Sequence, residues 1–198
     1  MPRKTSFTPD LLTERALEQF WENGFHASSM DDLVKATGVS RHGIYSTFGG
    51  KKELFLACFD RYQASVVTPA FQGVETAGAG LADVAEYFEL QIQAGDAAGL
   101  PGPGCFVANS ATEIAPADQD VMDKVREHNN RLRAGFRAAL YAQIGTVPEE
   151  RQQKVENLAE LMVIFTNGLW SRSRSVSDAN SLRQSVRDFL HLIEGALK

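Results

Sequence analysis

Between Ser40 and Lys51 the chain sets out a row of hydrogen-bonding side chains: Ser40, Arg41, His42, Tyr45, Ser46, Thr47 and Lys51, with Gly43 among them. These groups suit nucleic acid. A guanidinium can bond bidentately to a guanine edge, and hydroxyl, imidazole and ammonium groups bond phosphate oxygens. Ile44 and Phe48, four residues apart, give the same stretch one narrow apolar stripe. A short helix with a thin apolar footing and a polar outer face has the pattern of a recognition helix.

The neighbouring residues define how such a helix is held. Ser40 is a good N-cap for it. Ser29 and Asp32 form a capping-box-like start to a preceding short helix, in which Met30, Leu33 and Val34 share a face. Gly38 comes where that helix should stop, because glycine tolerates the left-handed conformation of a helix end. Two short helices with a tight turn between them make a helix-turn-helix. Ahead of them, Thr8-Pro9-Asp10 reads as N-cap, proline and first-turn acid. The helix it opens is predicted to run to about Asn23, with Leu12, Ala16, Leu17, Phe20 and Trp21 inward. Gly24 ends it and Phe25 tucks back as an anchor. Residues 1–7, with Arg3 and Lys4, are expected to form a short disordered arm. After the Gly49-Gly50 turn, Lys51 opens a fourth helix to about Val66. A lysine at a helix N-terminus is a phosphate site in waiting, since backbone N–H groups and the ammonium point the same way.

Composition limits the alternatives. The chain has 198 residues, 43% of them apolar, so it can bury a sizeable core. It has no run of about 18 apolar residues, which argues against a membrane span, and no apolar stretch behind its first bases, which argues against a secretion signal. Cys58 and Cys105 are its two cysteines, too few for a disulfide scaffold; a reducing cytoplasm is expected. The net charge is −5, yet residues 1–51 hold six bases and six acids and are neutral. That balance permits phosphate binding on one face without arguing for it. Nucleophile elbows, metal-ligand clusters and glycine-rich phosphate loops are absent from the sequence, so no enzyme activity, cofactor or metal is expected.

The order Ala16, Phe20, Gly24-Phe25, Ser29, Leu33, Gly38-Val39-Ser40, Ile44-Tyr45, Phe48, Lys51, Leu54 resembles the DNA-binding domain of the TetR family of bacterial transcriptional regulators. The likeness covers about residues 8–56. Val34 and Gly43 depart from it, the family usually having a small residue at the first and a side chain at the second. The resemblance implies an all-α protein of about nine helices, with a three-helix helix-turn-helix domain over 1–52 and a ligand-binding and dimerisation domain over 53–198. It implies that Arg41 and His42 reach bases or phosphates, that Tyr45, Thr47 and Lys51 hold the phosphate backbone, and that Ser29 adds its backbone N–H. The partners implied are a double-stranded DNA operator, a second copy of the chain and a small-molecule effector.

Farther along, the sequence predicts helices over about 81–94, 105–114, 116–144, 148–173 and 178–197. Thr68-Pro69 reads as a break and 95–104 as a breaker-rich loop. Tyr87, Phe88, Gln91, Phe106, Asn109, Glu113, His128, Phe165 and Trp170 are the candidate lining of an effector pocket, with Asn109 and Glu113 as polar anchors. Their apolar majority favours a small aromatic or hydrophobic effector. Cys105, in a Gly-Cys pair like that of a subset of the family, is either a packed thiol or a site for an electrophile or oxidant. Val155, Leu158, Ala159, Met162, Val163 and Thr166, with Val186, Phe189, Leu190 and Ile193, are the expected dimer faces of the last two helices. The functional expectation is a repressor released from a palindromic operator by its effector. A regulator switched through Cys105 and a protein-binding adaptor of the same fold are the alternatives.

Overall fold

The computed structural model describes residues 7–145 and 149–198, apart from the side chain of Glu150. The expected arm, except Phe7, and the helix start expected at Pro148 lie outside the described residues. Every element among them is helical. Three lead the chain: α1 (Pro9–Asn23), α2 (Met30–Thr37) and α3 (Arg41–Phe48). Next come α4 (Lys51–Tyr62), a π-helical turn (Gln63–Val67) and α5 (Thr68–Phe71). Then follow α6 (Leu81–Ala98), α7 (Phe106–Glu113), a 3-10 turn (Ala115–Ala117), α8 (Gln119–Ile144), α9 (Glu149–Arg172) and α10 (Ala179–Leu197).

Two of these differ from expectation for local reasons. Helical structure continues through Thr68-Pro69 instead of breaking. Proline offers no N–H to the carbonyl one turn back and its ring crowds that carbonyl, and the wider π-helical turn just before it relieves both. Helix α6 runs past Gly95 to Ala98, because a single interior glycine costs a helix only about 1 kcal/mol.

The chain forms two compact units, one of residues 1–66 and 106–125, the other of residues 67–105 and 126–198. The unit that holds the helix-turn-helix thus also takes in α4, α7 and the first turns of α8. Its core is aromatic. Phe55 of α4 meets Phe20 at 5.0 Å, Phe25 at 4.9 Å and Phe106 at 5.3 Å between ring centroids. Leu12, Ala16, Leu33, Ile44, Leu54 and Cys58 fill the space around them, all fully buried. Each buried phenylalanine stabilises this unit by about 2 kcal/mol relative to exposure. The Cys58 thiol points at the Thr13 carbonyl, 3.7 Å away, and burial pushes its pKa far above the usual thiol range. It is a packed, inert group.

The second unit packs α5, α6, α9, α10 and the rest of α8 around Phe71, Tyr87, Phe88 and Phe136. Gly135 of α8 makes room for Phe71, whose ring atoms would lie 2.7 Å from any Cβ there. The residues expected to face a second copy of the chain turn inward instead. Val155, Leu158, Ala159, Met162, Val163, Thr166, Val186, Leu190 and Ile193 are all buried within this unit, and Phe189 is half-buried with its ring stacked on Phe165 at 3.8 Å. The apolar side chains left in the open on α9 and α10 are Leu161, Ile164 and Leu192, at 50%, 58% and 70% exposure.

Candidate nucleic-acid interface

The helix-turn-helix is built from its caps. Ser29 Oγ accepts from the Asp32 N–H while Asp32 Oδ2 accepts from the Ser29 N–H, completing the capping box on α2. The Ser29 hydroxyl also donates to Asp32 at 2.6 Å. These bonds hold the exposed Asp32 carboxyl below its usual pKa, with the Ser29 hydroxyl the larger cause. Gly38 closes α2 in the left-handed region at φ 71°. Two residues later Ser40 caps α3, accepting from the Gly43 N–H at 3.2 Å. The sequence reading missed Thr37, which is buried. Its hydroxyl donates to Leu33 O and accepts from the Val39 N–H, and its carbonyl accepts from Arg15. A threonine at the last position of a helix gave no periodic signal. It acts through the turn, locking the angle between α2 and α3.

Ile44 of α3 is buried and Phe48 half-buried, while Arg41, His42, Tyr45, Ser46 and Thr47 are exposed. Tyr45 holds half its surface in the open, which no packing argument requires. Arg41 is paired with Asp31 of α2 at 2.9 Å; both side chains are solvated, so the pair orients the guanidinium more than it stabilises the fold. The Ser46 and Thr47 hydroxyls donate to the Gly43 carbonyl at 3.0 and 2.8 Å. Either must swing outward to donate to a phosphate. Gly43 is explained by packing, since a Cβ there would lie 2.7 Å from Val39 Cγ1. The Ser29 N–H, expected on a phosphate, is engaged by Asp32 as found.

Helix α4 starts at Lys51 with no side chain capping it. The Lys51 ammonium lies 4.2 Å above the centre of the Phe25 ring. Burial there lowers its pKa, and the charges of Glu113 and Asp32 act the other way. Lys51 is therefore a placed charge, fixed over an aromatic face at the mouth of a helix. Lys52 reaches instead to Asp118 and Asp120, at 2.8 and 2.7 Å.

The effector candidates divide between the two units. Tyr87, Phe88, Gln91, His128, Phe165 and Trp170 belong to the second. There Phe88 packs against Phe165 and Trp170 at 5.8 and 6.3 Å, and the Trp170 indole hydrogen-bonds the Tyr87 hydroxyl. Burial raises the Tyr87 pKa well above the usual phenol range. His128 is buried, which lowers its pKa to about 4, and the nearby Arg131 charge adds to the effect. Phe106, Asn109 and Glu113 belong to the first unit. Phe106 is enclosed by Phe55, Phe59 and Tyr62. Glu113 bonds the backbone at Phe25 and His26. Cys105 is 4% exposed. Among the described residues, no group of three His, Cys, Asp or Glu side chains is placed to hold a metal ion, and no helix is long and apolar enough to cross a membrane.

A capped pair of short helices, presenting arginine, tyrosine and hydroxyl groups beside a fixed lysine, defines a helix-turn-helix DNA-binding protein. Residues 12–58 match the family model described as bacterial regulatory proteins, tetR family. The segment over residues 12–58 is thus a TetR-family DNA-binding domain, and the protein is a DNA-binding transcriptional regulator. It is 27% identical over 197 residues to the HTH-type transcriptional repressor ComR of Escherichia coli (strain K12), covering 96% of this chain and 90% of that one. Its fold matches a variant of the TetR family regulator CifR, solved in complex with 26-bp double-strand operator DNA. That match has a TM-score of 0.76 at 20% identity, over 96% of this chain and 98% of CifR. It also matches a TetR family regulator from Cytophaga hutchinsonii, with a TM-score of 0.79 at 18% identity, over 98% and 97%.

Proposed function

We propose that this regulator is a cytoplasmic, homodimeric repressor that binds a palindromic operator and leaves it when a small aromatic or hydrophobic molecule binds its second unit. The observation that carries the reading is the exposure of three large apolar side chains, Leu161 and Ile164 on α9 and Leu192 on α10. Such side chains favour burial against a second copy. A twofold pair of recognition helices reads two half-sites where one short helix touches few bases. In this reading Arg41 and His42 contact base edges. Ser40, Tyr45, Ser46, Thr47 and Lys51 contact phosphates and set register, giving salt-dependent affinity.

The effector half of the proposal draws on the aromatic cluster of Tyr87, Phe88, Phe165 and Trp170. It offers flat apolar faces beside a phenol and an indole N–H. An effector that prefers a form of the protein unable to hold the operator lowers DNA affinity by the difference in its two binding energies. The test selects duplexes from a random pool with the purified protein, then screens small aromatic compounds for release of the selected duplex. Recovery of a palindrome and its release by a compound that also raises the melting temperature support the proposal. Recovery of a single asymmetric site by a monomeric protein contradicts it.

A further inference from the structure

A carboxylate far along the sequence reaches the segment that carries the helix-turn-helix. Glu113, the last residue of α7, accepts from the backbone N–H of Phe25 through Oε2 at 3.1 Å and from that of His26 through Oε1 at 2.8 Å. The two oxygens thus hold two successive amides in the turn between α1 and α2. The turn is shaped to receive them. Gly24 has φ 84°, and a Cβ on it would lie 2.8 Å from Glu113 Oε2. The ring of Phe25, whose amide Glu113 holds, is the surface on which the Lys51 ammonium rests. Glu113 is also among the charges that act on Lys51. At its other end α7 is fixed by Phe106, packed on Phe55, Phe59 and Tyr62.

We infer that Glu113 is a positioning residue for DNA binding, a latch by which α7 fixes the α1–α2 turn and, through Phe25, the place of Lys51. Two charge-assisted bonds to backbone hold better than the solvated ion pairs nearby, such as Lys52 with Asp118 and Asp120 or Lys124 with Asp60. In sequence, residues 106–125 lie between two stretches of the second unit. A change there that moves α7 therefore reaches a phosphate-holding lysine through one side chain. The inference rests on the reading that the α3 face and Lys51 grip duplex DNA.

The experiment compares wild type, Glu113→Ala, Glu113→Gln and the control Glu22→Gln, an exposed acid of α1. Fluorescence anisotropy at fixed salt measures affinity for the duplex selected by the wild type and for a random duplex of equal length. Losing a negative charge alone raises affinity for both duplexes by one factor, and Glu22→Gln is expected to do so. Glu113→Ala is expected to lower affinity for the selected duplex about tenfold without lowering it for the random one, because two amides lose their acceptors and Lys51 its setting. Glu113→Gln keeps the size and one acceptor, and is expected to reduce the selected-to-random ratio by about threefold with helicity intact. It keeps the test decisive if the alanine variant folds poorly. A folded Glu113→Gln with the wild-type ratio overturns the inference alone. A wild type that selects no duplex overturns the DNA-binding face and this inference together.

Discussion

Replacing His128 with Gln removes a buried imidazole while keeping a polar side chain of similar reach, and the structure fixes what that should do to acid stability. The folded pKa is about 4 against an ordinary 6.5, with burial the main cause and the Arg131 charge the second. Below pH 6.5 the unfolded chain takes up a proton that the folded chain refuses. Stability therefore falls as pH drops from 6.5 toward 4, and the loss is complete below 4. At about 1.4 kcal/mol per pH unit the full loss is about 3.5 kcal/mol, and about 2.5 kcal/mol of it is reached at pH 4.5. That is a large part of a typical domain's 5–15 kcal/mol. Urea unfolding at pH 7 and pH 4.5, for wild type and His128→Gln, isolates the effect, because the carboxylates titrate alike in both proteins. The wild type should lose about 2.5 kcal/mol more than the variant between the two conditions. Equal losses, or an imidazole seen by NMR to titrate near 6.5 in the folded protein, refute the reasoning.

Other substitutions probe other parts. Ser29→Ala should destabilise the protein by about 1 kcal/mol in urea unfolding. The Asp32 carboxyl should then titrate higher by NMR, since the Ser29 hydroxyl is the main group holding it down. Ile164→Glu together with Leu192→Glu should turn a dimer into a folded monomer in sedimentation, because both side chains are exposed. Val163→Ala in the same helix should instead cost about 1–2 kcal/mol of stability and leave the assembly unchanged, as Val163 is buried.

The parts legible in the sequence are those decided within a few residues. Thr8, Ser29 and Ser40 as N-caps, and Gly24 and Gly38 as helix ends, sit where the spacing places them, because a cap is a contact between residues three or four apart. The inward Ile44 and outward Tyr45 followed from the same periodicity. The inward sides of the last two helices did not. Helix α9 carries Leu161-Met162-Val163-Ile164-Phe165 as an unbroken apolar run, which covers more than half its circumference, so periodicity could not say which side was the core. The sequence could not reveal the partner of Glu113 either. Its bonds span 87 and 88 residues, and a carboxylate aimed at backbone N–H groups leaves no complementary side chain to find. The place of Lys51 over Phe25 was hidden for a similar reason, since it depends on how α1 and α4 cross.

The central claim is that two α3 helices read duplex DNA through Arg41 to Lys51. Hydroxyl-radical footprinting of the selected duplex, with wild type and with the Arg41→Ala, Tyr45→Ala double variant, tests it most directly. The account predicts two protected half-sites about one helical turn apart, roughly 34 Å, with protection lost in a double variant that still forms the wild-type assembly. Undiminished, sequence-specific protection by that variant would contradict it.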